Sequence, residues 1–140
     1  MREMPHLKNN IAPYYYDWLE HPEYDDYWKN VSIEETHSNI TVPTLNIGGW
    51  HDIFLGGTIR NYLRMQQFHG SDQPPGKHRL VIGPWIHSGS PLHVAGEYNF
   101  GTRAGSSSTL GVNLQDLIIN HYDYWLRGQD NGVADESPVT

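Results

Sequence analysis

The 140-residue sequence contains no cysteine. Disulfide bonds, thiolate nucleophiles and cysteine-ligated zinc sites are therefore excluded. Positive charge is also scarce: Lys and Arg total 9 against 16 for Asp and Glu, which leaves a net charge of −7 at pH 7. Proteins that bind nucleic acid or an anionic membrane surface usually carry a basic patch, so we expect neither partner here.

Long apolar runs are missing as well. No segment approaches the roughly 20 apolar residues that a membrane-spanning helix needs. Residues 1–10 lack the apolar core of a signal peptide, and we expect a cytoplasmic location on this ground. Aromatic residues, by contrast, are abundant, with 5 Trp, 9 Tyr and 3 Phe. This composition predicts a packed domain rather than a disordered acidic tail.

Apolar patterning predicts two strands with one helix between them. The first strand is expected at residues 44–47, closed by Gly48 and Gly49, and the second at residues 79–83. The helix between them is expected over residues 57–68. Its buried side is predicted to comprise Ile59, Tyr62, Leu63, Met65 and Phe68. Because about thirty residues and one helix separate the strands, we expect them to run parallel.

Shorter signals flank this pair of strands. Two short aromatic helices are expected before residue 30, separated by His21 and Pro22. Their Tyr and Trp side chains suit a packing seam better than a ligand platform. Residues 70–76 and much of 88–108 are expected to be loops rich in Gly, Pro and Ser. A helix is predicted over residues 113–127, with Gly128 after its end, and residues 138–140 resemble the start of another strand.

The final helix has the clearest apolar face. Apolar or aromatic side chains recur at helical spacing, and the predicted buried positions are Leu114, Leu117, Ile118, His121, Tyr122 and Trp125. Two parallel strands cannot cover their own edges and faces, even with these helices. We therefore expect the chain to be part of a larger α/β domain or to pair with another chain.

Two titratable residues follow the two predicted strands. Asp52 lies five residues beyond Ile47, and His87 lies four residues beyond Gly83. Since parallel strands end at the same edge of a sheet, these side chains are expected to come within reach of each other. A carboxylate that accepts a hydrogen bond from Nδ1 orients the imidazole and leaves Nε2 to act as a base. The alternative is a loop Asp and a structural His.

The sequence has 9 His, a residue type that commonly binds metal ions. They are scattered and show none of the usual ligand spacings. We therefore expect no metal and no cofactor.

The order of several motifs resembles the X-Pro dipeptidyl-peptidase and cocaine esterase family of α/β-hydrolases. Residues 48–54 (GGWHDIF) and 83–87 (GPWIH) are similar to the segments that carry the family's triad Asp and His. Residues 21–28 (HPEYDDYW) resemble the end of its helical cap. Residues 96–101 (GEYNFG) and 122–128 (YDYWLRG) resemble the segment after the His and the last core helix. The resemblance covers nearly the whole chain.

The resemblance implies a fold and a set of roles. The fold class is α/β: an incomplete α/β-hydrolase core at residues 40–128, preceded by the end of a cap at residues 1–39. Residues 129–140 would lead towards a jelly-roll domain. Family members cleave small-molecule esters or amides by a Ser-His-Asp acyl-enzyme route. By motif, the resemblance implies that Asp52 is the triad acid and His87 the triad base. It also implies that Phe54 lines the acyl pocket and that Trp85 forms a wall of the active site.

One part of the family pattern is missing. The sequence contains no G-x-S-x-G turn, and Ser88, Ser90 and residues 106–108 follow the His instead of preceding the Asp. The nucleophile and oxyanion hole are therefore expected in a missing N-terminal hydrolase segment, and this chain alone is expected to be inactive. Residues 53–55 (IFL) lack the acidic residues that follow the Asp in α-amino-ester hydrolases, which favours a neutral or aromatic acyl group. The alternative is a non-catalytic module that docks a partner through its open sheet edge.

Overall fold

A computed structural model describes residues 11–69, 77–87, 94–104 and 113–140. By its internal contacts the chain divides into two compact units, Met1–Thr36 and His37–Thr140. Most of the loop predictions, residues 70–76, 88–93 and 105–108, lie outside the described residues. None of the described helices is both long and apolar enough to cross a membrane.

The first unit contains helices α1 (Tyr14–Glu20) and α2 (Asp26–Lys29). The break at His21 is as predicted, and the Asp25 carboxylate caps the start of α2 by accepting the Tyr27 N–H at 3.0 Å. The aromatic seam is present: the rings of Trp18 and Trp28 lie 6.1 Å apart. The Trp28 indole N–H also donates to the carbonyl of His21 at 2.7 Å.

The second unit is built on two parallel strands. These are β1 (Thr44–His51) and β2 (His78–Ile86), and helix α3 (Leu55–His69) connects them in sequence. The register pairs Thr44 with His78 and Gly49 with Gly83. A short antiparallel pair follows, β3 (Val94–Ala95) with β4 (Tyr98–Asn99), and then helix α4 (Leu114–Arg127). The loop prediction for residues 88–108 is wrong at this pair, because Gly96, with φ at +58°, allows the tight turn that joins the two strands. The parallel α/β arrangement predicted from the sequence is confirmed.

Both strands are longer than predicted. Gly48 and Gly49 were expected to end β1, but they continue the ladder opposite Ile82 and Gly83. Gly49 is required there, since a Cβ at this position would lie 2.2 Å from the carbonyl oxygen of Trp85. The register then shifts, so that His51 pairs with Ile86. This bulge accommodates one extra residue of β2, which carries that strand past Pro84.

The two helices cover opposite faces of the sheet. Ile47 packs with Val81, Trp85 and Leu117 of α4 in the core cluster. Gly48, the next residue of β1, faces α3, because a Cβ there would touch Leu55 and Thr58. Successive strand residues point to opposite faces, so the sheet lies between α3 and α4.

Each helix buries a narrower stripe than its pattern predicts. On α3, Tyr62 and Met65 are buried, whereas Leu63 and Phe68 are 57% and 46% exposed. On α4, Leu117 and His121 are buried, but Tyr122 is 55% exposed. The prediction that Leu63, Phe68 and Tyr122 lie in the core is therefore wrong within the described structure. The physical reason is that the sheet of β1 and β2 is narrow, so it can bury only one row of side chains from each helix.

The C-terminal residues cover the outer edge of β2. The Leu80 N–H donates to the carbonyl of Pro138 at 2.9 Å, and the Thr140 N–H donates to that of Leu80 at 3.0 Å. Val139 thereby forms an isolated parallel bridge with Leu80, in the segment predicted to start another strand. An ion pair reinforces this contact, because the buried Arg79 guanidinium lies 2.6 Å from the Glu136 carboxylate.

Replacing Gly49 by Ala is expected to destabilise the protein by about 1–3 kcal/mol, because the added methyl group meets a backbone carbonyl that cannot move freely. Gly56→Ala is the matched control. Apart from its chain neighbours and the nearby backbone of α3 itself, no atom lies within 4 Å of a Cβ at Gly56, so this change should be neutral or stabilising by up to about 1 kcal/mol. Urea unfolding of both variants measures the difference, and equal midpoints would contradict the close packing at Gly49.

Candidate active site

Asp52 lies directly after the last residue of β1. Its N–H donates to the carbonyl of Gly49 at 3.0 Å, and its own carbonyl accepts the Leu55 N–H at 3.2 Å. Its side-chain Oδ1 accepts the Phe54 N–H at 2.8 Å. These three bonds form a tight turn from β1 into α3. They hold the carboxylate at the carboxyl end of the strand, and they explain why α3 begins two residues earlier than predicted.

His87 lies directly after the last residue of β2. Its Nδ1 is 3.2 Å from Oδ1 and 3.3 Å from Oδ2 of Asp52. The expected juxtaposition of the two side chains is therefore present. A carboxylate can only accept, so Nδ1 carries the proton and donates it to Asp52. Both distances exceed the roughly 2.7–2.9 Å of a tight charge-assisted hydrogen bond, a looseness common before substrate binds.

The surroundings of Asp52 favour its ionised form. The N–H of Phe54 is the largest cause that holds the pKa of this carboxyl below its ordinary value, and His87 adds to the effect. The imidazole is much more open, with 64% of its side chain exposed against 14% for Asp52. An ionised acceptor on Nδ1 and an open ring leave Nε2 of a neutral His87 free to take a proton.

The other two predicted site residues occupy different environments. Phe54 is 57% exposed, and its ring lies 4.7 Å from that of His87 at an angle of 73°. Trp85 is only 4% exposed, and its indole N–H donates to the carbonyl of Ala104 at 2.9 Å. Trp85 therefore belongs to the core, although it also borders the cavity beside the Asp–His pair.

A cavity of about 100 Å³ opens beside Asp52 and His87. It is smaller than the roughly 300–1,000 Å³ of most small-molecule sites. The sequence does not identify five of the residues that line it. These are Ile47, Gly48 and Gly49, which the apolar pattern assigns only to β1 or its end, and Ile86 and Leu114, whose apolar character carries no functional signal.

One further contact near the site was also missed. The ring of His51 lies 5.4 Å from that of Phe100, which links the end of β1 to the segment after β4. Only the tertiary structure brings these two residues together, because no local pattern connects them. Among the described residues, no group of three or more His, Asp or Glu side chains is arranged to hold a metal ion.

An Asp–His pair at the carboxyl edge of parallel strands, between helices on both faces, is typical of an α/β-hydrolase core. The comparisons with known proteins agree. The sequence model of one protein family, X-Pro dipeptidyl-peptidase (S15 family), matches residues 2–89, which is more than half of the chain. This protein belongs to that family.

A curated relative supports the same assignment. The chain is 28% identical over 138 residues to the cocaine esterase of Rhodococcus sp. (strain MB1 Bresler). The alignment covers 96% of this chain and 21% of that esterase, so the chain spans about a fifth of its relative's length.

The pKa of Asp52 is expected to fall below its ordinary value of 3.8 when the chain folds. The stability that its hydrogen bonds contribute is therefore complete above that value and is lost as the pH falls through the lower folded pKa. The carboxyl ¹³C shift, followed against pH in the folded and in the urea-unfolded chain, measures both midpoints. In a His87→Ala variant most of the lowering should persist, because the Phe54 N–H is its main cause. Coincident folded and unfolded midpoints would contradict this account.

Proposed function

We propose that this chain supplies the acid and the base of a Ser-His-Asp triad in a serine hydrolase that cleaves esters or amides. The observation that carries the proposal is the contact of Asp52 with His87 Nδ1 at 3.2–3.3 Å, at one edge of a parallel sheet. Membership of the X-Pro dipeptidyl-peptidase family supports the reaction class. The cocaine esterase relative is itself an esterase by name, which adds weight to ester substrates.

In this mechanism His87 acts through Nε2. It takes the proton from the serine hydroxyl as the serine oxygen attacks the substrate carbonyl. It then gives that proton to the leaving alcohol or amine, and an acyl-enzyme forms. Water later attacks the acyl-enzyme by the same route, with His87 again accepting and returning a proton. Asp52 stays ionised throughout and stabilises the imidazolium that forms twice in each cycle.

The nucleophile comes from outside these 140 residues, which contain no G-x-S-x-G turn. The described sheet offers a place for it. β2 is covered on one side by residues 138–140 and on the other by β1, whereas the outer edge of β1 pairs with no described strand. We therefore assign the nucleophile to a polypeptide segment that adds to the β1 edge, in a protein whose substrate is a small-molecule ester or amide.

The residues around the base favour an uncharged acyl group. Ile53 and Phe54 follow Asp52 and are 82% and 57% exposed. An α-amino acyl group would need a carboxylate at this point, whereas a neutral or aromatic one needs apolar contact. Because its exposed ring can make this apolar contact, Phe54 is assigned to the acyl pocket. Trp85 is assigned to the wall of the site beside Asp52 and His87.

Mixing the chain with a polypeptide that carries a strand–G-x-S-x-G–helix segment of the family tests this function. Hydrolysis of a chromogenic benzoyl ester is expected from the mixture and from neither component alone. Tight association without hydrolysis would instead favour a docking module that uses the open β1 edge. Hydrolysis by this chain alone would contradict the proposed division of the triad.

Asp52→Asn should lower the turnover of the active mixture by about 10⁴-fold, because the amide favours the wrong imidazole tautomer. Asp116→Asn is the matched control, since Asp116 lies exposed in the first turn of α4 and is not among the residues that line the cavity beside the pair. Steady-state kinetics on the same ester compares the two variants. Near-normal turnover of Asp52→Asn would reject Asp52 as the triad acid.

A further inference from the structure

Phe54 contacts both members of the Asp–His pair. Its backbone N–H donates to Oδ1 of Asp52 at 2.8 Å. Its ring meets that of His87 at a centroid distance of 4.7 Å and an interplanar angle of 73°, an edge-to-face arrangement. Pairs of this geometry are attractive beyond the surface they bury. One residue therefore touches the acid through its backbone and the base through its side chain.

The backbone of Phe54 is itself firmly held. Its carbonyl accepts the N–H groups of Gly57 at 3.0 Å and Thr58 at 3.2 Å, and the Thr58 hydroxyl at 3.4 Å. These bonds tie Phe54 into the first turn of α3. The ring consequently projects from an anchored position, although it is 57% exposed.

The imidazole needs such support. His87 is 64% exposed and follows the last residue of its strand, so little packing restrains it. A single hydrogen bond at Nδ1 leaves the ring free to pivot about that bond. An aromatic ring at 73° to the imidazole restricts this rotation. The direction in which Nε2 points therefore depends on Phe54 as well as on Asp52.

We propose that Phe54 is a positioning residue for the base and not only a wall of the acyl pocket. The proposal rests on the triad function proposed above. A pocket wall acts mainly on the binding of bulky acyl groups. A residue that orients His87 acts on turnover, and it does so equally for small and large acyl groups, because proton transfer is common to both.

The test uses Phe54→Leu, which keeps an apolar side chain but removes the ring, and Phe54→Tyr, which restores a ring. For Phe54→Leu in the reconstituted mixture, kcat should fall on the order of tenfold on both an acetyl and a benzoyl ester, with KM changed less than about twofold. Phe54→Tyr should recover most of that loss. Phe68→Leu is the matched control, since Phe68 is similarly exposed, at 46%, near the far end of α3.

A second readout does not depend on activity. In the 140-residue chain, NMR couplings and NOEs of His87 report whether its side chain keeps one rotamer against Asp52. The wild type and Phe54→Tyr should keep it, and Phe54→Leu should show averaged rotamers. An unchanged His87 rotamer in Phe54→Leu, or a rise in KM confined to the benzoyl ester, would overturn the proposal. An inactive mixture would count against the triad function alone, because the rotamer measurement would still decide the role of Phe54.

Discussion

The parallel pairing of β1 with β2 is the constraint on which the rest of the structure depends. It brings two segments 35 residues apart to the same edge of the sheet, where Asp52 and His87 meet. The approach is close enough to require Gly49, whose missing side chain makes room for the carbonyl of Trp85. The bulge beside it lets β2 run one residue longer, so that the two strands end side by side and each is followed directly by one member of the Asp–His pair.

The turn that follows β1 both starts helix α3 and fixes the position of the Asp52 carboxylate. The bonds that begin α3 also aim the carboxylate, and the Phe54 N–H that completes the turn keeps the pKa of Asp52 low. An acid that remains ionised can orient a neutral imidazole before the reaction and stabilise it once protonated. The electrostatics of the pair thus derive from local backbone geometry, which is less sensitive to solvent than a surface ion pair.

The two edges of the described sheet differ: the β2 edge is covered, whereas the β1 edge pairs with no described strand. Residues 138–140 and the Arg79–Glu136 ion pair cover β2. The outer edge of β1 carries backbone groups that pair with no described strand. Unpaired edges attract further strands. The β1 edge is therefore the place where a further strand can add to the described sheet.

The sequence by itself determined the parallel strands β1 and β2, the helices α3 and α4, the order of these four elements and the positions of Asp52 and His87 after the strands. These follow from periodicity, turn residues and the geometry of βαβ units, which act over short stretches of chain. Only the tertiary structure decided that β1 continues through two glycines, that Trp85 is buried, that Leu63 and Tyr122 are exposed, and that Phe54 lies against His87. Burial and ring contacts depend on which residue packs against a side chain. That residue is distant in the sequence, so a local sequence pattern does not identify it.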